Sequence, residues 1–214
     1  MTTYAWPQAP ANKWHLFMPS TIMLRQRHNN IVHESPQSGA VQVISTPGSK
    51  WGWVFDLTPH RKEDRPFVEA FLTRLAGREH RVTVHDMRRP VPQGTINTSG
   101  VTCGTHAAFA QVITLNGCGN ARTLFAGDWL GLANGQLVMV VPDLSNNFSY
   151  TATSGGVITP VYITPMLRSP LTSGQAVTLN KPTATYQLAE TMMDYPRQSG
   201  FSEPPLSIEL VETF

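Results

Sequence analysis

The chain has 214 residues, long enough for one large β domain or two small ones. Its formal net charge of +2 is too small to mark a nucleic-acid or membrane partner, and no apolar run approaches the roughly 20 residues of a membrane span. Only 14% of residues are charged, against about 25% in a typical soluble protein. Either assembly covers much of the surface, or the surface is polar without charge.

The N-terminal stretch Met1 to Pro7 has no basic segment followed by an apolar one, so no export signal is expected and synthesis is expected in the cytoplasm. Residues 1–13 read as an irregular arm. Trp14 to Met18 and Ile22 to Arg27 read as short strands broken by Pro19-Ser20. Glu34 to Gly39 is a turn by composition. Ala40 to Ser45 is a strand with Val41 and Val43 on one face, and Thr46-Pro47-Gly48-Ser49 is a further turn.

Trp51 to Asp86 is the landmark of the chain. Trp51, Trp53, Phe55 and Leu57 alternate with Gly52, Val54 and Asp56, the mark of a strand with an aromatic inner face. One helix follows, over about 61–76. Phe67, Ala70, Phe71 and Leu75 form its apolar stripe, widened by Val68 and Leu72 and expected to pack on Trp51, Trp53 and Phe55. Glu63 and Asp64 suit the positive end of the helix dipole, Pro66 fits the first turn, and Gly77 fits the position just past the end. A strand carrying Val82 and Val84 comes next. With no other helices to cover a parallel sheet, the helix is expected to lie as a lid over an antiparallel one.

Met87 to Thr95 contains two prolines and a glycine and reads as a linker. From Ile96 onward Gly, Thr, Val and Asn dominate. Trp129 to Ala133, Asn134-Gly135 and Gln136 to Val141 read as a hairpin with a type I′ turn. Phe109 to Leu115, Val157 to Thr164, Ala176 to Leu179 and Ala184 to Ala189 are further strands, and their spacing suggests a small barrel or sandwich. The polar stretch 190–205 precedes a last amphipathic strand, Leu206 to Leu210. That strand is expected to return to the first domain, making the middle domain an insertion. The domains are thus 1–95, 96–190 and a returning segment 191–214.

No catalytic motif stands out, and the chain reads as a non-enzyme with no catalytic, cofactor-binding or metal-binding residue and no cofactor. His80, His85 and Asp86 lie close in sequence, but on an alternating strand His85 faces away from the other two. Asp128, beside Trp129, fits a tight turn in which it bonds the backbone. Cys103 and Cys118 are expected to be free thiols, and Cys103 has no nearby base that would make it a nucleophile. Arg78, His80, Arg81, Arg88 and Arg89 form a locally basic run, more simply a solvated rim than a polyanion site. Trp129 and Tyr150 are the candidates for saccharide contact.

Several stretches together resemble phage distal tail proteins and related tail-tip adaptors of long-tailed phages. In the first domain they are Ser35-Pro36-Gln37-Ser38-Gly39 with Val41-Gln42, Trp51-Gly52-Trp53, Glu69-Ala70-Phe71-Leu72 with Leu75 and Gly77, and Asp86 to Gly94. In the second they are Ala126 to Leu130, Leu137 to Val140, Asp143, Pro165 to Arg168, and Gly174-Gln175 with Val177. The resemblance implies a mainly β protein, with an N-terminal β-sandwich carrying one helix and a second, galectin-like or oligosaccharide-binding-like β domain. It implies a structural subunit of the virion, a six-fold homo-oligomeric ring at the tail tip. The ring would join the tail tube protein to the hub or fibre protein and pass DNA through its channel, with no membrane insertion. The alternative is a host-saccharide-binding β module of a virion protein.

Overall fold

The computed structural model describes residues 1–7, 13–45 and 48–213; Thr46 and Pro47 of the expected turn lie outside them, as does part of the expected N-terminal arm. The fold is mainly β. In chain order the strands are β1 (Thr3–Ala5), β2 (Pro19–Arg27), β3 (Asn30–Glu34), β4 (Val41–Ser45), β5 (Lys50–Leu57) and β6 (His60–Arg61). The helix α1 (Arg65–Arg74) follows, then β7 (Arg81–His85), β8 (Thr102–Cys103), β9 (Val112–Asn116), β10 (Thr123–Phe125), β11 (Trp129–Leu132) and β12 (Leu137–Val140). The last are β13 (Ser149–Thr151), β14 (Ile158–Thr164), β15 (Val177–Thr178), β16 (Thr183–Leu188), β17 (Ser202–Glu203) and β18 (Leu206–Glu212). Trp14–Phe17, expected as a strand, is a 3-10 turn, and β2 begins directly at Pro19, where a proline needs no ladder donor.

The chain divides into two compact units. The first comprises residues 1–27, 50–84 and 185–214; the second comprises 28–49 and 85–184. The first boundary therefore falls at residue 84 and not at 95. The strand expected near Ala184 to Ala189 is also not part of the second domain's sheet: β16 joins the sheet of the first unit.

That sheet has the order β1-β7-β16-β18-β5-β2. The β1–β7 pair is parallel, whereas β18 is antiparallel to both β5 and β16. One face holds the core. Leu206 lies opposite Leu57, Ile208 opposite Phe55 and Leu210 opposite Trp53, all at most 3% exposed. Tyr186, Leu188, Val82 and Val84 continue the layer. On the other face Arg25 reaches Glu209 at 2.7 Å, past Gly52, whose missing side chain leaves the path open.

The helix covers the aromatic face through an aromatic wedge. Trp6 lies 5.2 Å from Phe55 and 5.8 Å from Phe71, Phe17 lies 5.2 Å from Phe71, and the Trp6 indole N–H donates to Phe17 O at 3.1 Å. The two contacts with Phe71 are edge-on, at 87° and 79°, which suits aromatic quadrupoles. The helix is shorter than the expected 61–76, because His60–Arg61 is paired as β6 with β17. Asp64 is its N-cap and Pro66 sits in the first turn. The Asp64 carboxylate bonds Lys13 at 2.9 Å, which holds its pKa below the usual range.

The buried stripe is rotated from the expected one. Arg65, Val68, Leu72 and Leu75 are buried and Phe71 is half-buried, while Phe67 is 51% exposed beneath the Lys13 ammonium. The reason is Arg65. Its guanidinium is fully buried, donating to Pro204 O at 3.0 Å and to Glu69 at 3.1 Å. Those bonds turn the helix so that residues 65, 68, 72 and 75 face inward.

Residues 191–204 run antiparallel along α1. Thr191 O closes on Gly77, Tyr195 meets Thr73 at 3.5 Å, Arg197 pairs with Glu69 at 2.7 Å, and Pro204 takes the Arg65 bond. The helix positions 65, 69 and 73 are four apart and form one row, and Gly77 follows just past the helix end. A Cβ at Gly77, where φ is +63°, would lie 2.8 Å from Thr191 O.

In the second unit the sheet order is β15-β11-β12-β14-β9-β8. Its two ends meet: Val177 N donates to Val101 O and Cys103 N to Gln175 O, each at 2.9 Å. The sheet thereby closes as a small barrel. Ile113, Leu115, Leu124, Leu130, Val138, Val161 and Leu167, all fully buried, fill it. Both cysteines are free and buried in this core. The β11–β12 hairpin is where Asn134-Gly135 predicts it, but the turn is different. Gly135 N donates to Leu132 O, Leu132 N donates to Gln136 O, and of the two central residues only Gly135 has positive φ, +79°. This is a type I turn closed by a left-handed glycine, a three-residue loop with a bulge. Asn134 uses its side chain to accept from Gln136 N at 3.0 Å instead of adopting positive φ itself.

The strand β18 is buried on its apolar side and hydrogen-bonded on both edges. Replacing Ile208 with Ala is expected to destabilise the first unit by about 2–5 kcal/mol, the range for deleting a packed core side chain. Truncation after Thr191 should abolish its cooperative unfolding transition. Chemical denaturation followed by tryptophan fluorescence checks both.

Candidate interaction surface

The polar residues singled out in the sequence are structural where the fold buries them. Asp86 is 6% exposed. One of its oxygens accepts from Arg88 N at 2.9 Å and Arg89 N at 3.3 Å, and the other accepts the Trp129 indole N–H at 3.0 Å. Asp128 does the same from the other side, accepting from Gln93 N at 2.8 Å and Phe125 N at 2.9 Å. Arg89 donates to Gly127 O at 3.2 Å. Residues 87–95 are therefore pinned, not a free linker. Gly94 is tied closest of all: a Cβ there would stand 2.1 Å from Thr123 O.

This arrangement corrects the saccharide candidates. Trp129 is 3% exposed, with its only polar atom committed to Asp86. Tyr150 is 7% exposed, and its hydroxyl donates to Val141 O at 2.6 Å. Neither ring offers a face to a sugar. The strand that carries Tyr150, β13, and its partner β10 were not anticipated either.

The histidines do not converge. His85 is buried, and burial together with the Lys181 charge lowers its pKa against the opposing effect of Asp86. His106 accepts the Thr114 N–H on Nε2 at 2.8 Å, so that nitrogen carries no proton, and burial lowers its pKa too. His60 is buried with Nε2 at 2.8 Å from Leu16 O. Among the described residues no group of three or more His, Cys, Asp or Glu is placed to hold a metal.

What the structure leaves open is apolar surface, most of all on the β3–β4 hairpin. Its register pairs Ile31 with Ile44, Val32 with Val43, and Glu34 with Val41. Ile31, Val32, Val41, Val43 and Ile44 are each 42–59% exposed. Side chains alternate across a strand, so the two isoleucines lie on one face and the three valines on the other. The hairpin forms a sheet of only two strands. Its turn is well made: Ser35 N donates to Ala40 O, Gly39 N donates to Ser35 O, each at 2.9 Å, and Ser35 Oγ accepts from Ser38 N. A two-stranded ribbon is marginal in water alone, and five apolar side chains on two faces exceed what scattered surface residues explain. β3 itself was not anticipated, because Asn30 to Glu34 alternates weakly.

Two predictions follow from the buried groups. Asp86→Ala removes acceptors from a buried indole N–H and two backbone N–H groups, and the indole donor alone should cost about 1–3 kcal/mol; Trp129→Phe, which removes that donor, should cost less than Asp86→Ala in the same denaturation assay. His85 and His106 bind protons more weakly folded than unfolded, so the stability they contribute is present above their ordinary pKa of 6.5 and is lost as the pH falls below it. Denaturation midpoints of the second unit should drop between pH 7.5 and 5.5, and His85→Gln/His106→Gln should flatten the slope. No protein-family model matches the chain, and no curated protein matches it in sequence.

Proposed function

We propose that this chain is a structural subunit of a phage tail tip: a distal tail protein whose copies form a homo-oligomeric ring. The ring joins the tail tube to the hub or fibre apparatus and leaves a channel for DNA. The observation that carries the reading is the β3–β4 hairpin, ordered at its turn and apolar on both faces. Full burial of a valine or isoleucine side chain contributes roughly 1.5–3 kcal/mol, so covering these half-exposed ones contributes about 1 kcal/mol each. A neighbouring copy that covers both faces removes the solvent penalty and the open strand edges together.

The mainly β fold and the positions of the motif residues support the same reading. Ser35 to Gly39 makes the hairpin turn, Trp51-Gly52-Trp53 lies on β5 inside the first sheet, and Glu69 to Leu72 with Leu75 lies along the helix and its C-cap. Asp128-Trp129 forms the corner that holds residues 86–95. These are among the residues on which the resemblance rests.

The test is self-association. The full chain should sediment as a concentration-dependent oligomer and give rings in negative-stain images, alone or with the tail tube protein. Val32→Ser/Val43→Ser should weaken association at least tenfold with an unchanged unfolding midpoint. A chain that stays monomeric at high concentration and forms no ring with its tail partners rules the reading out.

A further inference from the structure

A ring closed head-to-tail needs two different surfaces on each copy, one that inserts and one that receives. We propose, resting on the ring reading above, that the β3–β4 hairpin of one copy docks against the pocket beside Phe201 of the next. This pocket, of about 390 Å³, is lined by Arg61, Lys62, Glu63 and Phe201. Phe201 is 99% exposed, the most exposed large apolar side chain among the described residues. Yet its backbone is held: Lys62 N donates to Phe201 O at 3.4 Å, and Ser202 and Glu203 pair with Arg61 and His60. Buried Glu203 also accepts Gln198 N at 3.0 Å, closing the turn that precedes the ring, and buried Arg65 grips Pro204 O. An aromatic ring presented to water from an anchored backbone is a surface arranged to receive something apolar.

Charge selects the occupant. Arg61 and Glu63 are 3.6 Å apart and each at least 75% exposed, a weak pair. Lys62 has no ion-pair partner among the described residues, which leaves the pocket with one uncompensated cation beside an aromatic ring. The hairpin carries the complement. Val32, Val43, Val41 and Glu34 share one face, because Val32 opposes Val43, Glu34 opposes Val41, and residues two apart point the same way. Three valines with one unpaired carboxylate at their end match a phenyl ring with one unpaired ammonium. The apolar contact supplies affinity and the Glu34–Lys62 pair fixes the register.

Cross-linking between full-length chains tests the contact. Glu34→Cys and Lys62→Cys are made on separate chains; native Cys103 and Cys118 are 1% and 0% exposed and do not compete. Mild oxidation of the mixture should give a disulfide-linked dimer that neither variant forms by itself. Phe201→Ala should weaken self-association at least tenfold, and Glu34→Lys should do the same unless combined with Lys62→Glu, which restores it. If no cross-link forms and Phe201→Ala associates like the parent chain while Val32→Ser/Val43→Ser does not, the docking proposal fails, with the ring reading intact. If the parent chain is monomeric throughout, both fail.

Discussion

The first unit depends on the pairing of β18 with β5. Trp51, Trp53, Phe55 and Leu57 line the buried face of β5, and its pairing with β2 covers only one edge. The other edge is completed by residues 206–211, joined to residues 52–57 in a continuous antiparallel register. The same strand links β5 to β16, and through it to β7 and β1. Removing β18 therefore does not trim the sheet but cuts it in two. The long intervening chain costs less than it first suggests, because loop-closure entropy grows only with the logarithm of length. A barrel that folds on its own core can interrupt a sheet at nearly the cost of a much shorter loop.

Two buried carboxylates do for the segment after β7 what β18 does for the sheet. A stretch with two prolines and a glycine has few backbone donors to spend on regular structure. Asp86 and Asp128 capture the donors of Arg88, Arg89 and Gln93 directly, and Asp86 adds the Trp129 indole. Five of the bonds that define this corner end on just these two side chains. A buried carboxylate is tolerable only when it is hydrogen-bonded in this way. The price of the arrangement is sensitivity, since each acid holds several partners at once.

Much of the fold was legible because it depends on local periodicity. The alternation of Trp51 to Leu57 gives β5, the glycine after the hairpin's Asn134 locates its turn, and Leu206 to Leu210 reads as a strand in need of an edge. The failures share a cause: a distant partner decides them. Phe67 and Val68 both fit a helical stripe, and only the bond from Arg65 to Pro204 chooses between them. Trp129 beside a glycine and an aspartate looks the same buried or exposed; its partner, Asp86, lies 43 residues earlier. The strands β6, β8, β10, β13 and β17 have two or three residues each, too few for any period to show. Phe201 sits in a polar stretch, and nothing local signals that its backbone is tied to Lys62.

β2 and the β3–β4 hairpin carry their open edges differently, and the contrast bears on assembly. β2 lies at the edge of the first sheet and carries Arg25 and Arg27 on its outer face, with Arg25 paired to Glu209. Charges of that kind keep an open edge from pairing with another chain. The β3–β4 hairpin has two open edges and places valine or isoleucine at five of its ten strand positions, with a single carboxylate, Glu34, at its end. Sequences that specify one structure agree at every level, and departures from that agreement concentrate where function requires them. The same chain protects one edge and leaves the other bare. An exposed ribbon of that composition invites pairing in solution, so its retention fits a surface that is covered in the working assembly. On the proposed ring reading the hairpin, not the barrel, is where copies of this chain would meet.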